Sequence, residues 1–162
     1  MSEKVQSKHN YLIGIISDTH GKLPDSVSRI FKNADLIVHA GDVGDPDIID
    51  ALQKIAPTRS VRGNMDMGKW ARRLPLNETI NVGSKTLYVI HDVYNLDINI
   101  EAPGYDVVIF GHTHQPQVEK QRGVLYVNPG SASHPRYGYP PSAAILEING
   151  DTVTARLIKL KK

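Results

Sequence analysis

The sequence predicts an α/β fold, two mixed β-sheets packed face to face with helices outside, in a four-layer αββα sandwich. Two observations predict it. Through the first half, short and almost wholly apolar runs alternate with amphipathic helical segments, as parallel strands covered on both faces do. From Gln117 onward the signals are short strands and tight turns, which call for antiparallel pairing.

Taken in order, Met1 to Asn10 are polar, with no apolar stretch for a signal peptide or a membrane span, and read as a tail. Leu12-Ile13-Gly14-Ile15-Ile16 is the first buried strand. Pro24 suits the first turn of a helix running to about Lys32, with Val27, Ile30 and Phe31 on one face. Leu36 to Ala40 is the second strand. Pro46 opens a helix through Ile48, Ile49, Leu52 and Ile55, and a strand follows around Pro57 to Val61. These two strand-helix-strand units are expected to be right-handed crossovers. Leu87 to Ile90 and Val107 to Phe110 are further buried strands, separated by a helix-like stretch from Asn95 to Ala102. Val118 to Lys120 and Val124 to Val127 flank Gln121-Arg122-Gly123 as a hairpin. Ala143 to Ile148 and Thr152 to Leu160 flank Asn149-Gly150-Asp151, whose Asn-Gly is a strong hairpin signal. Residues 11–162 are then expected to form a single domain, long enough to bury a real core.

Composition narrows the partners. The chain has no Cys, so it carries neither a disulfide framework nor a thiolate site and suits a reducing cytoplasm, its expected location. A net charge of +2, part of it from Lys159-Leu160-Lys161-Lys162 at a solvated strand end, is too small for a nucleic-acid surface. Neither nucleic acid nor membrane is an expected partner; a homodimer is admitted.

The chemistry lies where the strands stop. In an open α/β sheet the loops at the carboxyl ends of the strands converge on one edge and carry the ligand site. The runs described above deliver Asp18-Thr19-His20, Gly41-Asp42, Gly63-Asn64, His91 and Gly111-His112-Thr113-His114 to that edge. Alone, Asp18 with His20 is a turn pair and Asn64 a turn residue. Gathered, Asp18, His20, Asp42, Asn64, His91, His112 and His114 are a borderline-to-hard ligand set suited to Mn, Fe, Zn, Ni or Co. They are too many for one ion and about right for two that share a carboxylate. Two divalent ions less two carboxylates and a hydroxide leave a net positive site, matched to a small phosphoester and to metal-assisted hydrolysis. His39, inside its strand, reads as a buried histidine supporting the site or the core. Trp70 with Arg72 and Arg73 reads as a packed Trp first, or as a substrate-facing lip or an interface patch. Tyr137 and Tyr139 with Pro140-Pro141 read as a rigid surface loop.

Asp18-x-His20, Gly41-Asp42, Gly63-Asn64, His91 and Gly111-His112-x-His114, in this order, resemble the calcineurin-like metallophosphoesterases. The short length and Asn128-Pro129-Gly130-Ser131 followed by Pro135-Arg136 resemble their small bacterial and archaeal branch of stand-alone phosphodiesterases. The resemblance covers roughly residues 11 to 160 and implies the same αββα sandwich. It implies two divalent ions per chain, manganese first, with nickel, zinc or iron as alternatives. Asp18, His20 and His114 would hold the first, Asn64, His91 and His112 the second, and Asp42 would bridge them. Asp42, Asn64 and His112 are then also catalytic, and the implied nucleophile is a metal-bridging hydroxide. The family also contains a retromer scaffold subunit with a degraded metal site, and nucleases. Retention of all seven positions argues against the first, and the absence of a charge excess or an extra domain against the second.

Two positions depart from the family pattern. Many members place a His after the Gly-Asn to protonate the leaving oxygen, where this chain has Met65, and Asp66 is no obvious substitute acid at neutral pH. His134, in the loop after Ser131, is a candidate to bind phosphate or donate that proton, and Arg136 is a candidate to contact substrate or support the loop. His91-Asp92 stands where the branch has His-Gly, and Asp takes φ > 0 less readily than Gly. Because Met65 occupies the acid position, Met65→His is expected to speed hydrolysis of esters with poor leaving groups more than activated aryl esters. Equal effects on both in parallel kcat/KM measurements would count against that role.

Overall fold

The computed structural model describes residues 10–95 and 104–161. Its strands are β1 (Asn10–Ile16), β2 (Leu36–His39), β3 (Thr58–Ser60), β4 (Asn77–Val82), β5 (Lys85–Ile90), β6 (Val107–Ile109), β7 (Gln117–Gln121), β8 (Val124–Asn128), β9 (Ser142–Asn149) and β10 (Thr152–Lys159). They form two five-stranded sheets, ordered β10-β9-β1-β2-β3 and β4-β5-β6-β8-β7. Both are mixed. In the first, β1 runs parallel to β2 and β2 to β3, while β9 and β10 pair antiparallel. In the second, β5, β6 and β8 are parallel, with β4 and β7 antiparallel at the edges.

The period-2 alternation of strand side chains sorts the apolar residues into layers. Ile13 and Ile15 of β1, Val38 of β2, and Ala144, Leu146 and Ile148 of β9 point at the second sheet. They meet Ile80, Val82, Leu87, Val89, Val107, Ile109 and Val127 in one buried cluster between the sheets. Their neighbours Ile16, Ile37, Ala143 and Ile145 face the other way, toward the helices α1 (Ser26–Ile30) and α2 (Pro46–Gln53), and pack on Val27, Phe31, Ile48 and Leu52. On the far face of the second sheet, Tyr88, Ile90, Val108 and Phe110 are covered by Tyr105 and by Val93, in the 3-10 turn Val93–Asn95.

The helices are shorter than the sequence pattern. Helix α1 starts at Ser26 rather than Pro24 and stops before Phe31, because the chain must turn at once into β2. Asp35 fixes that turn by donating its N–H to Leu12 O (2.7 Å) and accepting Leu12 N–H on its carboxylate (2.8 Å). Helix α2 ends at Gln53 and is capped by Asp45, which accepts the N–H of Asp47. The hairpin β4–β5 is absent from the sequence reading, although Ile80 and Val82 alternate inward and Gly83-Ser84 makes its turn. The helix α3 (Lys69–Arg72) is likewise absent from it; it places Trp70 against the helical face of the first sheet, so the packed reading of Trp70 holds. β1 begins at Asn10, one residue inside the expected tail, and Leu160 is buried rather than part of a solvated end. Of the expected helix from Asn95 to Ala102, Asn95 closes the 3-10 turn, and the rest lies outside the described residues. Among the described residues, no helix is long and apolar enough to cross a membrane.

Candidate metal centre

The carboxyl ends of the six parallel strands open on one edge, and backbone pairing continues past the strands into the loops there. Asp18 N–H donates to Gly41 O (3.0 Å), His20 N–H to Asp42 O (3.0 Å) and Gly21 N–H to Val43 O (2.8 Å). Past the second sheet, Gly111 N–H donates to His91 O (3.0 Å). These loops are strained. Asp18, His20, Asp42, His112 and His114 all have φ between 48° and 71°, a left-handed conformation that costs non-glycine residues of order 1 kcal/mol each. Asp92 is not among the positive-φ residues, so its replacement of Gly carries no such strain. Gly63 and Gly111 are glycine because of close approach. A Cβ on Gly63 would run into the Asp42 carboxylate, and one on Gly111 into Ser17 Oγ and the Asp18 carboxylate.

All seven expected residues converge. Asp18 is fully buried and Asp42 3% exposed. Asp18 Oδ1 lies 3.4 Å from His114 Nε2, 3.8 Å from His20 Nε2 and 3.9 Å from His91 Nε2. Asp42 Oδ2 lies 3.3 Å from His91 Nε2 and 3.8 Å from His20 Nε2, between the two groups of imidazoles. Asn64 Oδ1 is 3.0 Å from His91 Nε2 and 3.2 Å from His112 Nδ1. Donor atoms of Asp18, His20 and His114, and of Asp18, Asp42 and His91, cluster within 4.8 Å of one another.

These separations test the fit of a metal. Asp18 Oδ1 and His20 Nε2 are buried without any hydrogen-bond partner. A buried carboxylate oxygen left so is costly, and 3.4–3.9 Å is too long for good hydrogen bonds to the imidazoles around it. Ligands about 2.1 Å from one ion lie about 3–4 Å from one another, as these do. The donor set fits a divalent ion.

The imidazoles are aimed from behind. His91 Nδ1 donates to Ala40 O (2.7 Å) and His114 Nδ1 to His134 O (2.6 Å), so the neutral form of each ring keeps its lone pair on Nε2, facing the carboxylates. Burial alone would lower the pKa of His91, but its hydrogen bond to Asp42 and the charges of Asp18 and Asp42 outweigh it and raise the pKa above 6.5. His114 is raised chiefly by the Asp18 carboxylate that its Nε2 faces. For Asp42, burial raises and the His91 interactions lower; the net shift is below the ordinary value. An ion held by these rings would compete with protons for their Nε2 atoms.

Further residues brace the loops. His39 is wholly buried; Gly41 N–H donates to its Nδ1 (3.1 Å), so its Nε2–H donates to Thr19 Oγ1 (3.0 Å), which passes its own proton to Val43 O (2.7 Å). This ties the Asp18 loop to the Asp42 loop. Asp66 accepts backbone N–H groups from Gly63 (2.9 Å), Gly44 (2.9 Å) and Val43 (3.2 Å), which makes it a clamp between two loops. Sequence reasoning considered Asp66 only as an acid; three offered amides at Gly-rich turns were its unseen partners. Ser131 Oγ donates to Asp18 O (2.8 Å), Ser133 Oγ to Thr19 O, and Asn128 holds Gly111 O (3.1 Å). The Asn-Pro-Gly-Ser loop is thus a buttress for Asp18.

Two clefts meet at Asn64 and His112. One, of about 390 Å³, is lined by His20, Asp42, Met65, Gln115, Arg136 and Tyr137 among others. The other, of about 290 Å³, takes in Arg62, Leu76, Asn77, Asp92 and Asn95. Met65 stands 55% exposed in the first. The exposed ring of His134 lies 5.1 Å from that of His20, centroid to centroid, at the rim, with Nδ1 2.8 Å from Ser133 Oγ.

Carboxylates and imidazoles converging where parallel strands of two mixed sheets end define an α/β protein with a candidate metal centre. The chain belongs to the calcineurin-like phosphoesterase superfamily, whose domain description matches residues 11–151. It is 36% identical over 161 residues to a probable metallophosphoesterase of Methanothermobacter thermautotrophicus, covering 91% of this chain and 92% of that protein. It is 29% identical over 155 residues to the phosphodiesterase YfcE of Escherichia coli, covering 81% of this chain and 84% of that one. The structure of vacuolar protein sorting 29 from Cryptosporidium parvum superposes with a TM-score of 0.80 at 20% identity, covering 96% of this chain and 94% of that one.

Two predictions follow from the braces. Burial, against the opposing charges of Asp18, Asp66 and Asp42, lowers the His39 pKa from 6.5 to about 4. The unfolded chain therefore binds a proton that the folded one refuses between those values, and stability falls as pH drops through that window. With chelator present, the stability advantage of wild type over His39→Gln is expected to shrink by about 3 kcal/mol from pH 7 to pH 4. The opposite shifts of His91 and His114 are common to both proteins and cancel; a constant difference in urea titrations at the two pH values would refute the assignment. Asp66→Ala is expected to cost about 3 kcal/mol, because it strands three amides of the loops. A loss under about 1 kcal/mol would mean that water replaces the carboxylate.

Proposed function

We propose that the protein is a dinuclear-metal-dependent phosphodiesterase acting on small phosphoesters, with residues 11–162 forming one catalytic domain. The observation that carries this reading is the pair of buried, unpartnered donor atoms Asp18 Oδ1 and His20 Nε2 at the focus of the imidazoles. Asp18, His20 and His114 would hold one ion and Asn64, His91 and His112 the other, with Asp42 shared. Asp42 Oδ2 has a histidine from each group within 3.8 Å. Manganese is our first choice, with nickel, zinc or iron admitted by the same ligands. When bound, such a pair supplies a water-derived nucleophile at neutral pH and neutralises charge on the phosphate.

The chain's own residues do the rest. Asn64 and His112 form the wall common to both clefts, so a phosphate there can send one ester arm into each. Arg136, in the first cleft, is a cation for a non-bridging oxygen. Met65 donates no proton, and the Asp66 carboxylate is taken up by amides, so no acid stands at the usual place beside the leaving oxygen. His134 at the rim is the remaining candidate donor. A weak acid of this kind favours esters whose leaving group departs unaided.

The test is reconstitution. Stripped protein reloaded with Mn²⁺, Ni²⁺ or Zn²⁺ is expected to bind two ions per chain and to hydrolyse an aryl phosphodiester faster than the matching monoester. Asp42→Asn is expected to abolish two-ion occupancy and turnover together. Full turnover by Asp42→Asn with one ion per chain would refute the shared carboxylate, and two ions without turnover on either ester would favour a binding role.

A further inference from the structure

We infer that Asp92 is a charge filter, which makes this site prefer singly charged phosphodiesters over doubly charged phosphomonoesters; the inference rests on the phosphoesterase reading above. Asp92 Oδ2 lies 3.7 Å from His112 Nε2. The other nitrogen of that ring, Nδ1, faces Asn64 Oδ1 at 3.2 Å. The carboxylate therefore sits behind His112, one imidazole ring away from the donors on which a phosphate would rest, and on the wrong side of the ring to bind the same ion. Its other oxygen is fixed by the backbone, since Tyr94 N–H donates to Oδ1 (3.1 Å). The side chain is 25% exposed, at the wall of the smaller cleft.

The equivalent position behind His91 is filled by Ala40 O and behind His114 by His134 O, both neutral carbonyls. Only His112, of these three, is backed by a full negative charge. Asp18 and Asp42 already offset half the charge of two divalent ions, and Asp92 removes a further unit from the field at the phosphate. Coulomb's law for charges about 7 Å apart in a half-exposed cleft penalises each extra negative charge on a ligand roughly five- to tenfold. A diester carries one such charge and a monoester at neutral pH nearly two. Arg62 lines the same cleft and works against Asp92, but it is constant in the comparison below.

Asp92→Asn keeps the size and the acceptor for Tyr94 while removing the charge, and Asp92→Glu restores it. In the full chain loaded with Mn²⁺, with ions per chain counted in every sample, Asp92→Asn is expected to bind inorganic phosphate, nearly a dianion at about pH 8, roughly 25- to 100-fold more tightly than wild type. The ratio of kcat/KM for an aryl diester to that for the matching monoester is expected to fall roughly five- to tenfold, for the one charge by which they differ, and Asp92→Glu to recover both. Unchanged phosphate affinity and an unchanged ratio would overturn the filter. So would loss of the second ion from Asp92→Asn with selectivity intact, which would make Asp92 an orienting partner of His112 and nothing more. If wild type turns over neither ester, the phosphoesterase reading fails, and the phosphate affinities alone still decide whether Asp92 repels a dianion.

Discussion

Asp18 and Asp42 leave adjacent parallel strands side by side, both are almost wholly removed from water, and their carboxylate oxygens face one gap. Folding thus carries two like charges into a common pocket, at several kcal/mol per ion unless something answers them. Part of the answer is local: Met65 N–H bonds Asp42 Oδ1 (2.9 Å), and Ser17 Oγ and His112 N–H bond Asp18 Oδ2 (2.8 and 3.2 Å). Those donors take the outer oxygen of each carboxylate. The inner oxygens, Asp18 Oδ1 and Asp42 Oδ2, are left to the imidazoles and to any cation between them. The left-handed backbone at Asp18, His20, Asp42, His112 and His114 is the cost of turning five side chains inward within so few residues.

That gap is assembled across the sandwich. Asp18, His20, Asp42 and Asn64 follow strands of the first sheet, while His91, His112 and His114 follow strands of the second. Asp18 to His114, Asp42 to His91 and Asn64 to His112 are therefore contacts between sheets. Their distances are set by the close-packed cluster of Ile15, Val38, Val89, Ile109 and Val127 beneath. Ala40 O and His134 O sharpen this, because each fixes the ring of a histidine by hydrogen bonding; Ala40 does so from the opposite sheet.

Much of this was legible in the sequence because it rests on two local signals. Runs such as Ile13 to Ile16 and Val107 to Phe110 are apolar on both faces, so they read as buried strands, and the ligand residues stand directly after them. The β4–β5 hairpin was less visible: Asn77 to Val82 mixes polar and apolar residues, and its turn is Gly-Ser rather than Asn-Gly. Helix α1 came out shorter because the Asp35–Leu12 bonds, a long-range pair, end it. Asp66 was opaque for a similar reason. A carboxylate's role is set by which amides reach it, and Gly44 and Val43 are some twenty residues away in sequence. His39 was the opposite case, since a histidine among Leu36, Ile37, Val38 and Ala40 has to satisfy both nitrogens inside the fold.

Fold alone does not separate an enzyme from a binding module here. The superposition on vacuolar protein sorting 29 is close at only 20% identity, and so speaks to architecture. To that architecture the strand ends add a candidate metal centre. Two buried carboxylates facing a gap and backbone strain at five inward-turned residues both lower stability. Maintaining them together with His39, Asp66 and Ser131, which only hold these loops in place, is intelligible when the gap receives a cation and the exposed wall of Asn64 and His112 receives what the cation binds.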